Sequence, residues 1–423
     1  MNEKTEKKRL LIFVLVAYGI TFLMGFLMWY GCGKQIDLYA FPAAQMLYPA
    51  AGVMLGYLLT RKRDKDLPKW FFRFFLFLTA VMVVIAVLSV LLPDQLAVFS
   101  GTAVSLWLLI SQYILVAGSL IGWIFYLAAG KKRRAAYGLG WKNGKASLLC
   151  VLLFLGLYFL RTAASLALSG QLPLLGLVLG EPGTWLMFAA LFVNFFLTYI
   201  CFLGEEYGWR YYLQPLLQRK FGLRAGVILL GVVWGLWHLP VDFFYYTTET
   251  GPAMAVAQQI TCITLGIFFA YAYMKTQNIW VPVILHFLNN NLVAVLSGNA
   301  SSDVLQNQYI AWGDLLPALL VNGLFFGVFL LAKPFRKASG QQEETFTVHE
   351  AVKVCTVSDN LQAETMLELL KSSGIPAYKK DLGSAQIMNL YGGNSSFGEE
   401  IWVAEGAAEK AKEILEEAGL NIG

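Results

Sequence analysis

Long apolar runs separated by short polar or basic breaks fill the chain up to about residue 335. A membrane crossing needs about 20 largely apolar residues. On that criterion the pattern predicts spans at 10 to 30, 42 to 60, 71 to 92, 103 to 129, 147 to 168, 185 to 218, 225 to 241, 256 to 274, 279 to 297 and 311 to 332. The fold class expected is an all-α polytopic membrane protein of about ten transmembrane helices. The first span has a basic flank like a signal peptide, but its apolar run is longer than a signal core and no small-residue cleavage site ends it, so it reads as an uncleaved anchor. The run 185 to 218 exceeds one crossing, and its polar second part, from Glu205 to Gln218, would end a helix at Gly204 on hydropathy alone.

The pattern changes after Lys337. Short β-rich runs (Val352 to Val357, Ala377 to Lys380, Ile401 to Ala404) alternate with two amphipathic helices, Gln362 to Lys371 and Ala407 to Ala418. A strand-helix-strand, strand-helix order predicts a small α+β ferredoxin-like cytosolic domain. The expected division is a transmembrane extension of about five helices over 1–168, a core over 185–335, a linker over 336–345 and a soluble domain over 346–423.

Composition narrows the class. The chain is 57% hydrophobic and 14% charged, against about 25% charged in soluble proteins, which excludes an ordinary water-soluble enzyme and a disordered chain. The five cysteines show no paired spacing and read as reduced structural thiols. Net charge is +5, but the basic residues lie in blocks: Lys4 to Arg9, Arg61 to Lys69, Lys131 to Arg134, Arg219 to Arg224, and Lys333 to Lys337. These fall on alternate loops, so they are topology signals rather than a nucleic-acid site. By the positive-inside rule they place both termini in the cytoplasm, which requires an even number of spans.

Ionisable groups at membrane depth are expensive and therefore candidates for function. Three clusters qualify. In GEEYGWRYYL, Glu206 and Arg210 stand four residues apart on one helix face, leaving Glu205 as the free carboxylate and candidate base. His238 follows Trp234 by one turn in VVWGLWHLP, and His286 precedes Asn290 by one turn in VILHFLNNN. At about 1.5 Å per residue, His238 lies about 20 Å in from Arg224 and His286 about 15 Å in from the turn after Lys275. If the Glu-bearing helix continues to Arg219, Glu206 lies about 20 Å inside as well, and the three clusters share one depth around a hydrated cavity. If it ends at Gly204, they do not meet.

A Glu and a His can together take a proton from water, while a second His and an amide hold the oxyanion formed at a carbonyl. The same Glu205, His238 and His286 could instead ligate zinc or another divalent metal, and no cofactor is certain. HExxH, GxSG and GxGD motifs are absent from the sequence. Arg161 is expected to snorkel to a lipid interface, and Asp242 and Glu249 to be solvated loop charges.

EEYGWR fits EExxxR, WGLWH stands where FxxxH is expected, and HFLNN fits HxxxN, in that order over about 185 to 300. In these motifs the chain resembles the CPBP family of intramembrane endopeptidases, which includes the type II CAAX prenyl proteases and bacteriocin-processing relatives. The resemblance implies that Glu205 and His238 activate water, that His286 and Asn290 form the oxyanion site, and that Glu206 with Arg210 supports structure or orients substrate. The family is described both as metalloprotease and as a metal-free glutamate type. Trp234 stands where the family has Phe, a change of packing more than of chemistry. The resemblance further implies a hydrophobic or lipidated peptide or protein substrate, with the lipid bilayer as the other partner. The tail, through SDNLQAETMLELLKSSGIPA and EEIWVAEGAAEKAKEIL, is similar to a prokaryotic signal-transducing family, which suggests a bacterial cell membrane and a cytosolic partner for that domain. A non-catalytic scaffold or immunity protein of the same fold, or a transporter, are the rival readings.

Overall fold

A computed structural model describes residues 3–93, 96–99, 102–298, 305–336, 351–357, 360–381 and 399–420. Beyond Arg336 the expected linker, like the start of the soluble domain up to residue 350, lies outside the described residues. The chain divides into two compact units, Met1–Lys337 and Ala338–Gly423.

In the first unit, helices α1 (Lys4–Gly33), α4 (Lys69–Leu91), α5 (Leu106–Ala128), α6 (Gly144–Leu168), α7 (Pro182–Phe221), α10 (Gly251–Thr276) and α11 (Trp280–Ser297) are long and apolar enough to cross a membrane. A bent pair, α8 (Leu223–Trp237) and α9 (Leu239–Tyr246), meets at 44° and makes up to eight such spans among the described residues. Their outer faces carry large apolar side chains such as Phe26, Phe77, Leu186 and Phe192, a surface that suits lipid and not water. The protein is an integral membrane protein of mostly helical architecture.

Two of the expected spans are built from shorter pieces. Residues 42 to 60 fall into α2 (Ala40–Gln45) and α3 (Tyr48–Thr60), the second having Pro49 in its first turn. Proline lacks the N–H that would continue a preceding helix, so a new one starts there. At 13 residues, α3 is about 20 Å long, short of a hydrocarbon core of about 30 Å. Its residues Tyr48, Ala50, Ala51 and Met54 are buried instead. Residues 311 to 332 contain α12 (Leu315–Phe325) followed by a tighter 3₁₀ segment, Gly327–Leu331.

The helix α7 continues past Gly204 without a break, through a π-helical segment at Tyr207–Leu213. Gly204 and Gly208, four residues apart, do not interrupt it. They let it press on the α2–α3 junction: a Cβ on Gly204 would come within 2.3 Å of the Met46 carbonyl oxygen, and one on Gly208 within 2.3 Å of the Pro49 Cβ. Small residues at this spacing bring backbones together where lipid offers no hydrophobic drive to associate.

In the second unit, strands β1 (Ala351–Val357), β2 (Ala377–Asp381) and β3 (Glu399–Ala404) form an antiparallel sheet in the order β1-β3-β2. The central strand alternates buried and partly exposed residues, the period expected of a sheet with one covered face. Helices α13 (Asn360–Ser372) and α14 (Ala408–Glu417) supply Met366, Leu370, Ala411 and Leu415 to the core beneath Ile401 and Val403.

Candidate active site

The continuation of α7 is what carries its charges inside. Glu206 and Arg210 are fully buried and Glu205 is 2% exposed. Single π-helical turns are frequent at functional sites, where the extra residue re-aims side chains, and this one begins directly after Glu206. Glu206 is held on two sides. Arg210 Nη1 donates to its Oε1 at 3.4 Å, and Arg210 Nε approaches Oε2 at 3.2 Å as an ion pair without hydrogen-bond alignment. His286 Nδ1 bonds the same Oε1 at 2.8 Å. The guanidinium itself lies over the Trp234 ring at 4.3 Å and near the Phe269 ring at 5.2 Å. A buried cation is tolerated when paired with a carboxylate and packed between aromatic faces.

His238 sits at the bend between α8 and α9. Its Nδ1 lies 2.9 Å from the Trp234 carbonyl oxygen. A carbonyl only accepts, so Nδ1 carries the hydrogen, and in the neutral ring Nε2 keeps its lone pair. Glu205 Oε2 accepts from the Trp234 indole N–H at 2.9 Å. Trp234 is therefore the hub of the arrangement: its ring centroid lies 5.8 Å from that of His238 and 5.6 Å from that of His286. Phenylalanine, which the resemblance would place at this position, has no N–H to offer the carboxylate.

A cavity of about 330 Å³ opens between these helices, and Glu205, Trp234, His238, His286 and Asn290 all line it. Glu206 and Arg210 stand behind that wall, where they brace His286. Asn290 Oδ1 accepts from Asn289 Nδ2 at 3.0 Å, which leaves the Asn290 amide hydrogens for the cavity. Asn291 is engaged elsewhere, with the Phe287 carbonyl and with Asn194. Further along α7, Gln214 Nε2 donates to Gln218 Oε1 at 3.3 Å.

Sequence reasoning missed two charged residues. Arg161, expected at a lipid interface, lines this cavity. Asp242, expected in a solvated loop, is fully buried in α9, and among the described residues neither of its carboxylate oxygens has a hydrogen-bond partner. The signal for Arg161 was present as a lone charge inside an apolar run; residue spacing measures depth along a helix but not which neighbour its face meets. For Asp242 the signal was its four-residue step from His238.

Among the described residues no three His, Cys, Asp or Glu side chains converge closely enough to hold a metal ion. The candidate ligands Glu205, His238 and His286 are ranged around an indole, each already fixed by a hydrogen bond. The donor set does not fit a metal as arranged.

Fold and site together define a polytopic helical membrane protein that encloses acid, imidazole and amide groups within its bundle. Residues 182–292 match the family described as Type II CAAX prenyl endopeptidase Rce1-like, and residues 351–419 match one described as Putative prokaryotic signal transducing protein. The chain carries an Rce1-like domain that contains all six candidate residues, followed by a domain of the second kind. A CAAX prenyl protease 2 from Methanococcus maripaludis is 29% identical over 109 residues, covering 24% of this chain and 40% of that protein. The chain thus spans less than half of that relative. No solved structure matches.

Proposed function

We propose that the protein is an intramembrane endopeptidase that hydrolyses a peptide bond in a hydrophobic or lipidated peptide or protein, with residues 185–335 as its peptidase core and 1–168 as the scaffold around it. The observation that carries this is the convergence of Glu205, His238, His286 and Asn290 on one cavity wall. Glu205, aimed by Trp234, takes a proton from a water molecule that His238 Nε2 orients, and the water oxygen attacks the substrate carbonyl carbon. The oxyanion that forms accepts hydrogen bonds from the Asn290 amide and from His286 Nε2–H. For His286 to donate there while Nδ1–H is bound to Glu206, both its nitrogens carry hydrogen, and the carboxylates of Glu205 and Glu206 together balance the charges of His286 and Arg210. When the tetrahedral species collapses, the C–N bond breaks and Glu205 returns its proton to the leaving amine. Enclosure of the site by apolar helices suits a substrate already dissolved in the bilayer.

The same reading puts ten helical segments in a bacterial cell membrane with both termini in the cytoplasm, where the basic loops lie. The strand order β1-β3-β2 with two helices supports a ferredoxin-like tail, to which a cytosolic partner is assigned. Purified protein in lipid nanodiscs, given a lipidated peptide with a fluorophore and quencher across the scissile bond, tests the proposal. Cleavage by wild type that Glu205→Gln and His238→Ala each abolish is the expected result, and full cleavage by both variants would refute it.

A further inference from the structure

We propose that Arg161 binds a carboxylate of the substrate, so that the enzyme prefers peptides with a negative group close to the bond it cuts. This rests on the peptidase reading of the cavity. Arg161 belongs to α6, outside residues 182–292, yet it lines the same cavity as Glu205, His286 and Asn290. Its place there is built. Tyr158, one turn earlier, holds the guanidinium 4.6 Å from its ring and bonds through its hydroxyl to the Asn289 carbonyl at 3.4 Å, which ties this turn of α6 to α11.

Arg161 also lacks what the buried Arg210 has. Arg210 is paired with Glu206, and at the loops Arg61 is paired with Asp64 and Arg219 with Glu6. Among the described residues no carboxylate pairs with Arg161, and its buried Nε has no hydrogen-bond partner. A guanidinium at membrane depth with no carboxylate paired to it is expensive unless water or a ligand satisfies it. Its planar fork matches a carboxylate through two parallel hydrogen bonds, which sets position as well as charge. A carboxylate bound there and a carbonyl presented to Glu205 would share one cavity of about 330 Å³, which limits the peptide between them to a few residues.

Free C-termini and Asp or Glu side chains both offer this chemistry. Three quenched lipidated peptides separate them: one ending in a free carboxylate, its C-terminal amide, and the amide with a Glu near its end. Wild type should cut the free acid about 10- to 100-fold better than the plain amide in kcat/KM, carried mostly by KM. Arg161→Gln should erase that preference, bringing the ratio of free acid to plain amide close to one, and shift no melting temperature by enough to signal misfolding; Arg161→Lys should restore part of it. Arg161-dependent cutting of the Glu-bearing amide would assign the side-chain source. An unchanged preference in Arg161→Gln overturns the proposal while the peptidase reading stands. Binding of the free acid to Glu205→Gln protein, with and without Arg161→Gln, reads the same contact without turnover. If no peptide is cut at all, the peptidase reading fails, and this binding pair alone decides Arg161: loss of binding supports its role, equal binding ends it.

Discussion

The segment that matches the endopeptidase family and the helices before it contribute to the cavity in different ways. From α7 to α11 come the side chains with chemistry: Glu205, His238, His286 and Asn290. From α1 to α6 come contacts that decide where those side chains stand. Gln45 Nε2 donates to the Trp237 carbonyl at 3.0 Å, next to His238 in the chain, and the Trp237 indole N–H donates to the Ala17 carbonyl at 2.9 Å. The Tyr18 hydroxyl donates to the Val233 carbonyl beside Trp234. The α2–α3 junction fits the gap left by Gly204 and Gly208. Since 1–337 is one compact unit, the candidate side chains are positioned by contacts from helices that carry none of the three motifs.

The comparison breaks most sharply at its chemical side. Glu205→Gln keeps the hydrogen bond from Trp234 but removes the base, and a loss of about 10²- to 10⁴-fold in kcat is expected, read with the quenched peptide at saturating substrate. On the scaffold side, Gly204→Ala forces a Cβ against the Met46 carbonyl. Overpacking of this kind costs about 1–3 kcal/mol, and with rigid backbone as the neighbour the upper end is expected, seen as a lower melting temperature together with lost activity. If Gly204→Ala melts like wild type, the close approach of α7 to the α2–α3 junction is not what holds the site.

Trp234→Phe tests the hub. It keeps the aromatic packing and removes the donor to Glu205, and a hydrogen bond to a charged group is worth about 1.5–3 kcal/mol. About a tenfold or greater fall in kcat with little change in KM is expected, and an unchanged kcat would reduce the indole to packing. Gln45→Leu leaves the Trp237 carbonyl without its donor, for a loss of about 1 kcal/mol in stability, measurable as a small drop in melting temperature with kcat nearly kept.

The smallest effect lies in the loop after α3. Burial alone would raise the Asp64 carboxyl, but hydrogen bonds from the Tyr137 hydroxyl, the Asp66 amide and the Arg61 guanidinium outweigh it and hold it below its ordinary value of 3.8. A carboxyl depressed in the fold stabilises above its unfolded value and loses that contribution as pH falls from about 3.8 through the lower folded value. Melting temperature followed downward from pH 5 should therefore fall more steeply in wild type than in Asp64→Asn, and parallel curves would show that this link between the α3 loop and Tyr137 contributes nothing measurable.

Much of this protein was legible before any coordinates. Apolar runs of crossing length, the change of period after Lys337 and the three spaced clusters on 205–210, 234–238 and 286–290 are local properties, and local properties are what a linear pattern records. The depth estimate went further: it showed that the carboxylates meet the histidines only if α7 runs on past Gly204, as it does. Hydropathy misjudged that helix because it scores Glu and Arg as though they faced lipid, whereas Glu206 and Arg210 neutralise each other inside protein.

Facing, partnership and enclosure were decided only by the tertiary structure. That Trp234 donates to Glu205, that Glu206 serves His286 as well as Arg210, that Arg161 turns to the cavity and that Asp242 is buried all depend on which helix lies beside which. The physical reason is that a side chain's charge, tautomer and hydrogen bonds answer to atoms a few ångströms away in space, and in a bundle most of those atoms come from distant parts of the chain.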